Sequence, residues 1–233
     1  MMATVDAHAY VRDLVIASVM IGGMVSTAAA QDERRIYAGG LFGISTLSAD
    51  GRAVTMAPRA EVSLYKPENG PALSVLAGMH LTRFVAVQAT YVWNGNDLTL
   101  LSSVQSPERS VFYEQARSSQ QHIASIDTLV FVRHRESRIR PYLSAGIGVL
   151  RFSSGRTADL RVNGLMPPED QLGSTQPVLR VAVGIDIRIA RRGMFRYTYG
   201  QTLSGNPVSD QLMPKGERAL SNFHSLFGWV WQP

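Results

Sequence analysis

The stretch VLRVAVGIDIRIA, residues 178 to 190, constrains the fold more than any other feature of this chain. Leu179, Val181, Val183, Ile185, Ile187 and Ile189 share one parity, while Arg180, Ala182, Gly184, Asp186 and Arg188 share the other. A period of two is the signature of a β-strand, whose successive side chains point to opposite faces. Two environments fit such a strand. In a soluble sheet the aliphatic face meets a core and the charges meet water. In a membrane barrel the aliphatic face meets lipid and the charges point inward. This segment by itself does not choose between them.

The rest of the chain carries the choice. The period-two pattern recurs in eight segments: 35–46, 71–82, 84–95, 121–134, 141–153, 177–190, 194–205 and 219–232. Each is at least as long as a tilted membrane-crossing strand, about 9 to 11 residues. The connections alternate in length. Short turns at RF, RESRIR and RRG join segments two to three, four to five and six to seven, and long polar stretches make the other links. An even-stranded barrel that starts in the periplasm sorts its loops in this way, with short turns inside and long loops outside. A soluble sandwich has no reason to.

Aromatic residues add a third sign. Phe223, Phe227, Trp229 and Trp231 lie on one parity of the last segment, with Tyr197, Tyr199, Tyr91 and Trp93 on earlier ones. Rings with a polar edge concentrate at membrane interfaces, so these eight residues are expected to form aromatic girdles and a closing strand. An arginine facing lipid at mid-depth costs about 2 to 4 kcal/mol. The charged parity is therefore expected to face the lumen, where Asp127, Arg133, Arg180, Asp186, Arg188 and Arg196 would pair as a charge cluster. Gly146, Gly148, Gly184, Gly200 and Gly228 share that parity and would leave room for long arginine side chains.

Upstream, LVIASVMIGGMVSTAAA is an uncharged apolar run ending in small residues. It reads as a secretory signal peptide over residues 1–30, cleaved after Ala30, with a barrel domain over 31–233. The chain has no cysteine, which excludes disulfides and thiol chemistry. Its +5 formal charge is spread over loops and strand faces instead of gathered in one patch, so no nucleic-acid partner is expected.

IYAGGLFGIS as an opening strand, RPYLSAGIGVLRF as a central strand and FHSLFGWVW as a closing strand resemble the small outer-membrane β-barrel proteins of Gram-negative bacteria, the eight-stranded, OmpA-like barrel-domain group. The resemblance spans residues 34 to 232 and departs at the end, where Gln232 and Pro233 follow Trp231. It implies an all-β, eight-stranded antiparallel up-and-down transmembrane barrel in the cell outer membrane. The partners it implies are membrane lipid, lipopolysaccharide and, during biogenesis, the barrel-assembly machinery.

Chemistry is sparse. His224 and the adjacent Ser225 point to opposite faces, as do His122 and Ser125 three residues on, so neither pair makes a nucleophile–base dyad. No His or carboxylate spacing suggests a metal site, and no cofactor is expected. The expectation is a non-enzymatic, monomeric barrel with a structural or surface-interaction role and at most a narrow pore. Arg109, Arg117 and Arg156 near the outer strand ends are candidate lipopolysaccharide contacts. A soluble lipocalin-like ligand-binding barrel and an outer-membrane lipid-modifying enzyme are the alternatives.

Overall fold

A computed structural model describes residues 36–233, apart from the side chains of Ala158 and Asp159. The signal peptide expected over residues 1–30 lies outside the described residues. Ten strands form one sheet: β1 (Ile36–Leu47), β2 (Asp50–Met56), β3 (Arg59–Pro67), β4 (Gly70–His80), β5 (Val85–Gln105), β6 (Ser110–Phe131), β7 (Ile139–Asn163), β8 (Gln171–Arg188), β9 (Gly193–Gly205) and β10 (Ala219–Trp231).

Eight of them close into a ring. The pairing runs β5, β4, β1, β10, β9, β8, β7, β6, and β6 returns to β5. Every pairing is antiparallel, and the ring closes between β1 and β10 from Ala38 opposite Trp231 to Leu47 opposite Asn222. These eight strands are the eight read from the period-two pattern. Closure removes the unpaired edges that an open sheet would expose, which is what a sheet needs to survive in hydrocarbon.

The strands are longer than the alternation suggested. β5 and β6 stay in one continuous register from Val85 opposite Val130 to Gln105 opposite Ser110. The expected long loop between them is thus a hairpin with a tight turn, in which the Ser106 and Arg109 backbones bond each other at 2.9 and 3.3 Å. β7 runs for 25 residues, more than twice what a membrane crossing needs. The stretch between β1 and β4, also expected as a loop, forms the β2–β3 hairpin, whose β3 pairs with β5 from Ala60 opposite Gln105 to Pro67 opposite Leu98. The barrel therefore carries a β-extension at the end opposite its short turns.

One inversion explains why the pattern broke off. In β5 the apolar parity is odd and outward through Trp93, then becomes even and inward at Leu98 and Leu100, both buried. β7 switches likewise, from outward Leu143, Ile147 and Val149 to buried Leu150 and Phe152. The pleat does not change. What changes is the inner face, from the polar lumen around the ion pairs to a buried apolar cluster.

Inside, three buried apolar clusters stack along the axis. Tyr37, Leu76, Phe131, Tyr142 and Leu226 belong to the cluster at the turn end. Val92, Ile123, Leu150 and Val178 form a middle layer. Tyr65, Leu100, Tyr113 and Phe152 fill the extension end. The β9–β10 connection folds back into that last cluster through Val208 and Leu212, held where the Tyr113 hydroxyl donates to the Gln211 carbonyl at 3.0 Å and the Met213 amide donates to Ser102 Oγ at 3.1 Å. Burial pushes the Tyr65 and Tyr113 hydroxyls above the ordinary tyrosine range, so both act as neutral packing groups.

Candidate functional site

Four charged residues of the lumen form two ion pairs. Arg180 Nη1 on β8 donates to Asp127 Oδ2 on β6 at 2.5 Å. Asp186 on β8 sits directly opposite Arg196 on β9 and accepts from both its Nε, at 2.6 Å, and its Nη2, at 2.7 Å. This two-bonded fork matches guanidinium to carboxylate geometry. All four side chains are at most 5% exposed.

Two neutral side chains on β5 join the pairs. Gln88 Oε1 accepts from Arg196 Nη1 at 2.6 Å and from the Tyr37 hydroxyl at 3.2 Å. Its Nε2 donates to Thr90 Oγ1 at 2.8 Å, and Thr90 in turn donates to Asp127 Oδ2 at 2.6 Å. A chain of bonds therefore runs from Asp186 through Arg196, Gln88, Thr90 and Asp127 to Arg180, crossing the lumen between β9 and β5. The Tyr37 and Tyr142 rings lie 5.3 and 5.1 Å from the Arg196 guanidinium carbon, within cation–π range. The polar cavity beside Gln88, Arg180 and Arg196 offers about 10 Å³, room for no more than one water molecule.

The geometry also departs from the sequence reading. Arg133 is exposed in the β6–β7 turn and takes no part in the cluster. Arg188 is half-buried at the turn end, where it donates to the Arg135 carbonyl at 2.7 Å. Gly146 and Gly184 make room for something other than arginine. A Cβ at 146 would collide with the Asp127 carboxylate, and one at 184 with the Tyr142 ring. Arg140 is a lumen residue the sequence reading missed: it is 1% exposed with its guanidinium carbon 3.8 Å from the centre of the Phe131 ring. Its signal was the parity of Tyr142, continued back by two residues into what was read as a turn.

Arg117 is corrected too. It is 1% exposed and points inward, where its guanidinium bonds Gln115, Ser154 and the backbone carbonyls of Glu169 and Asp170 at 2.8 to 3.1 Å. It clasps the β7–β8 connection and cannot reach a surface lipid. Arg156 pairs with Asp170 at 3.1 Å on the surface, and Arg109 lies in the β5–β6 turn.

On the outer face, Tyr91, Tyr197, Tyr199, Phe227, Trp229 and Trp231 are exposed at 39 to 48%, and Trp93 and Phe223 are half-buried on the same face. Phe42 packs on Phe227 with ring centres 4.2 Å apart, and Tyr199 stacks on Phe223 at 6.3 Å. His122 meets the Tyr91 hydroxyl at 2.7 Å on this face, while Ser125 is buried in the lumen. His224 is buried in the lumen, whereas Ser225 contacts the Tyr197 hydroxyl at 3.1 Å outside. Neither histidine meets the serine that stands near it in the sequence. Among the described residues no group of three His, Asp or Glu is placed to hold a metal ion.

Among solved structures the chain is similar to Neisserial surface protein A, NspA, at a TM-score of 0.49 and 12% identity, covering 85% of this chain and 97% of that one. It is also similar to the outer membrane protein OprG from Pseudomonas aeruginosa, at 0.47 and 10% identity, covering 86% and 96%. For Ail, the attachment invasion locus protein of Yersinia pestis, the values are 0.43 and 7%, with 85% and 99% covered. No curated protein matches the chain. The family model of the outer membrane protein beta-barrel domain matches residues 15–216, and the chain belongs to that family and to the outer membrane.

Proposed function

We propose that this protein is a non-enzymatic, monomeric outer-membrane barrel with a closed lumen, whose β-extension stands outside the cell and meets surface components, first among them lipopolysaccharide. The observation that carries the reading is the filled interior. Two ion pairs are linked across the lumen through Gln88 and Thr90, and apolar clusters occupy it at both ends. Eight strands leave an interior only wide enough for side chains, and here those side chains bond one another across it. The complete ring has no unpaired edge within the membrane, which favours a monomer. Insertion by the barrel-assembly machinery follows from the same class of fold.

The folded protein in a planar lipid bilayer is expected to give no stepwise conductance in molar KCl. Regular open-channel steps would replace this reading with that of a narrow pore.

Arg109 and Arg156 are the surface cations we assign to lipopolysaccharide phosphates, a charge-assisted contact. Arg156 would have to exchange its Asp170 partner for phosphate, an exchange within reach because exposed pairs contribute about 1 kcal/mol or less. Neutralising both residues (Arg109→Gln with Arg156→Gln) is expected to lower the lipopolysaccharide that co-purifies with the barrel, while Arg117→Gln should act on folding alone. Unchanged lipopolysaccharide in the double variant would remove these two contacts from the proposal.

A further inference from the structure

The two lumen carboxylates are both committed. Asp127 takes Arg180, and both oxygens of Asp186 take Arg196. Arg140 faces Asp186 across the β7–β8 ladder, yet its Nε, Nη1 and Nη2 have no hydrogen-bond partner although the side chain is buried. The Phe131 ring covers the flat face of the guanidinium. A ring face satisfies part of the charge but none of the N–H groups, which lie in the guanidinium plane. A buried cation with every donor unpaired is a strongly unfavourable arrangement unless an acceptor completes it.

A solvent-open recess lies two ring contacts away from that guanidinium, through Phe131 and His80. His80 packs between Tyr37 and Phe131, with ring centres 5.1 and 5.6 Å away, and its Nδ1 is also buried without a partner. On its other side His80 lines a recess of about 520 Å³ at the turn end. Arg83, Arg135 and His134 line it as well, with Glu136 the single acid. The recess thus leads from open solvent to His80, which packs on the same Phe131 ring that covers Arg140 and whose Nε2 meets the Gln232 side-chain amide at 3.1 Å.

We propose that this recess and the lumen behind it form a binding site for a phosphate-class oxyanion, with Arg140 as the deep ligand and His80 as the group that admits it. A tetrahedral oxyanion supplies the planar pair of acceptors that a guanidinium edge matches. The same chemistry is offered by inorganic phosphate and by the headgroup of a lipid in the adjacent leaflet. This site is independent of the reading proposed for the outer extension.

The test is calorimetric titration of the folded full-length protein in micelles with sodium phosphate, at fixed ionic strength. Saturable binding at one site per barrel is expected. Arg140→Gln should weaken it at least about tenfold, the scale of one lost charge-assisted contact. Arg133→Gln, on an exposed side chain of the same turn, should leave it unchanged. Arg140→Lys, which keeps the charge but not the fork, should fall between and serves where the Gln variant does not fold. If phosphate fails but phosphatidylglycerol added to the micelles binds with the same dependence on Arg140, the oxyanion is a lipid headgroup. No saturable uptake of either by the wild-type protein, or equal uptake by a folded Arg140→Gln variant, overturns the proposal.

Discussion

Replacing Asp186 by Ala is expected to destabilise the folded barrel by about 3 to 5 kcal/mol, the usual consequence of removing one partner of a buried ion pair. The side chain is 1% exposed and accepts two hydrogen bonds from Arg196. Without it, Arg196 keeps only Gln88 as an acceptor, in a lumen that already holds Arg140 on the opposite neighbour strand. Two buried guanidinium groups would then share a space with no carboxylate between them. The measurement is the urea midpoint of the folded band, read by comparing unboiled and boiled samples on a gel. The double variant Asp186→Ala with Arg196→Met is expected to recover more than half of the loss, because it removes the stranded charge along with its partner. A loss below about 1 kcal/mol in the single variant would mean that water takes over the carboxylate's role and the lumen is wet.

That network was only partly legible in the sequence. Parity alone turned Arg180, Asp186 and Asp127 inward, because a charge on the lipid face is too costly and each segment has only two faces. Which arginine meets which aspartate depends on register across four strands, and no local pattern encodes it. Asp127 and Arg180 are 53 positions apart, on strands that are not neighbours, and they meet across the lumen. Gln88 and Thr90 looked like ordinary polar-parity residues, and only closure of the ring places them between the two pairs. Arg140 and Arg133 were misread for one reason. The turn lies at 132–138, whereas RESRIR puts it at 135–140, so Arg140 belongs to β7 and Arg133 to the turn. The β-extension escaped because its apolar parity is the reverse of the parity in the membrane. Leu98 and Leu100 face inward where Tyr91 and Trp93 face outward on the same strand, so a test for one constant apolar face stops at the inversion.

That boundary can be located by experiment. Ile147 is 71% exposed on the outer face of β7, between Ile126 of β6 and Leu179 of β8, which are also exposed. Val62 on β3 is an exposed outward valine as well, at 41%, but it pairs with Ser103 on the far part of β5, beyond the inversion. By exposure and residue type the two positions look alike. Ile147→Arg is expected to cost about 2 to 4 kcal/mol in lipid vesicles, because its guanidinium would sit in hydrocarbon. Val62→Arg is expected to cost less than about 0.5 kcal/mol, as a surface substitution in water does. The comparison is made by urea unfolding of both variants in the same vesicles. It isolates solvent from packing, since neither side chain fills the interior. Equal costs at the two sites would mean that both faces meet the same medium, and that the inversion in β5 and β7 marks a change in the lumen instead of the edge of the membrane.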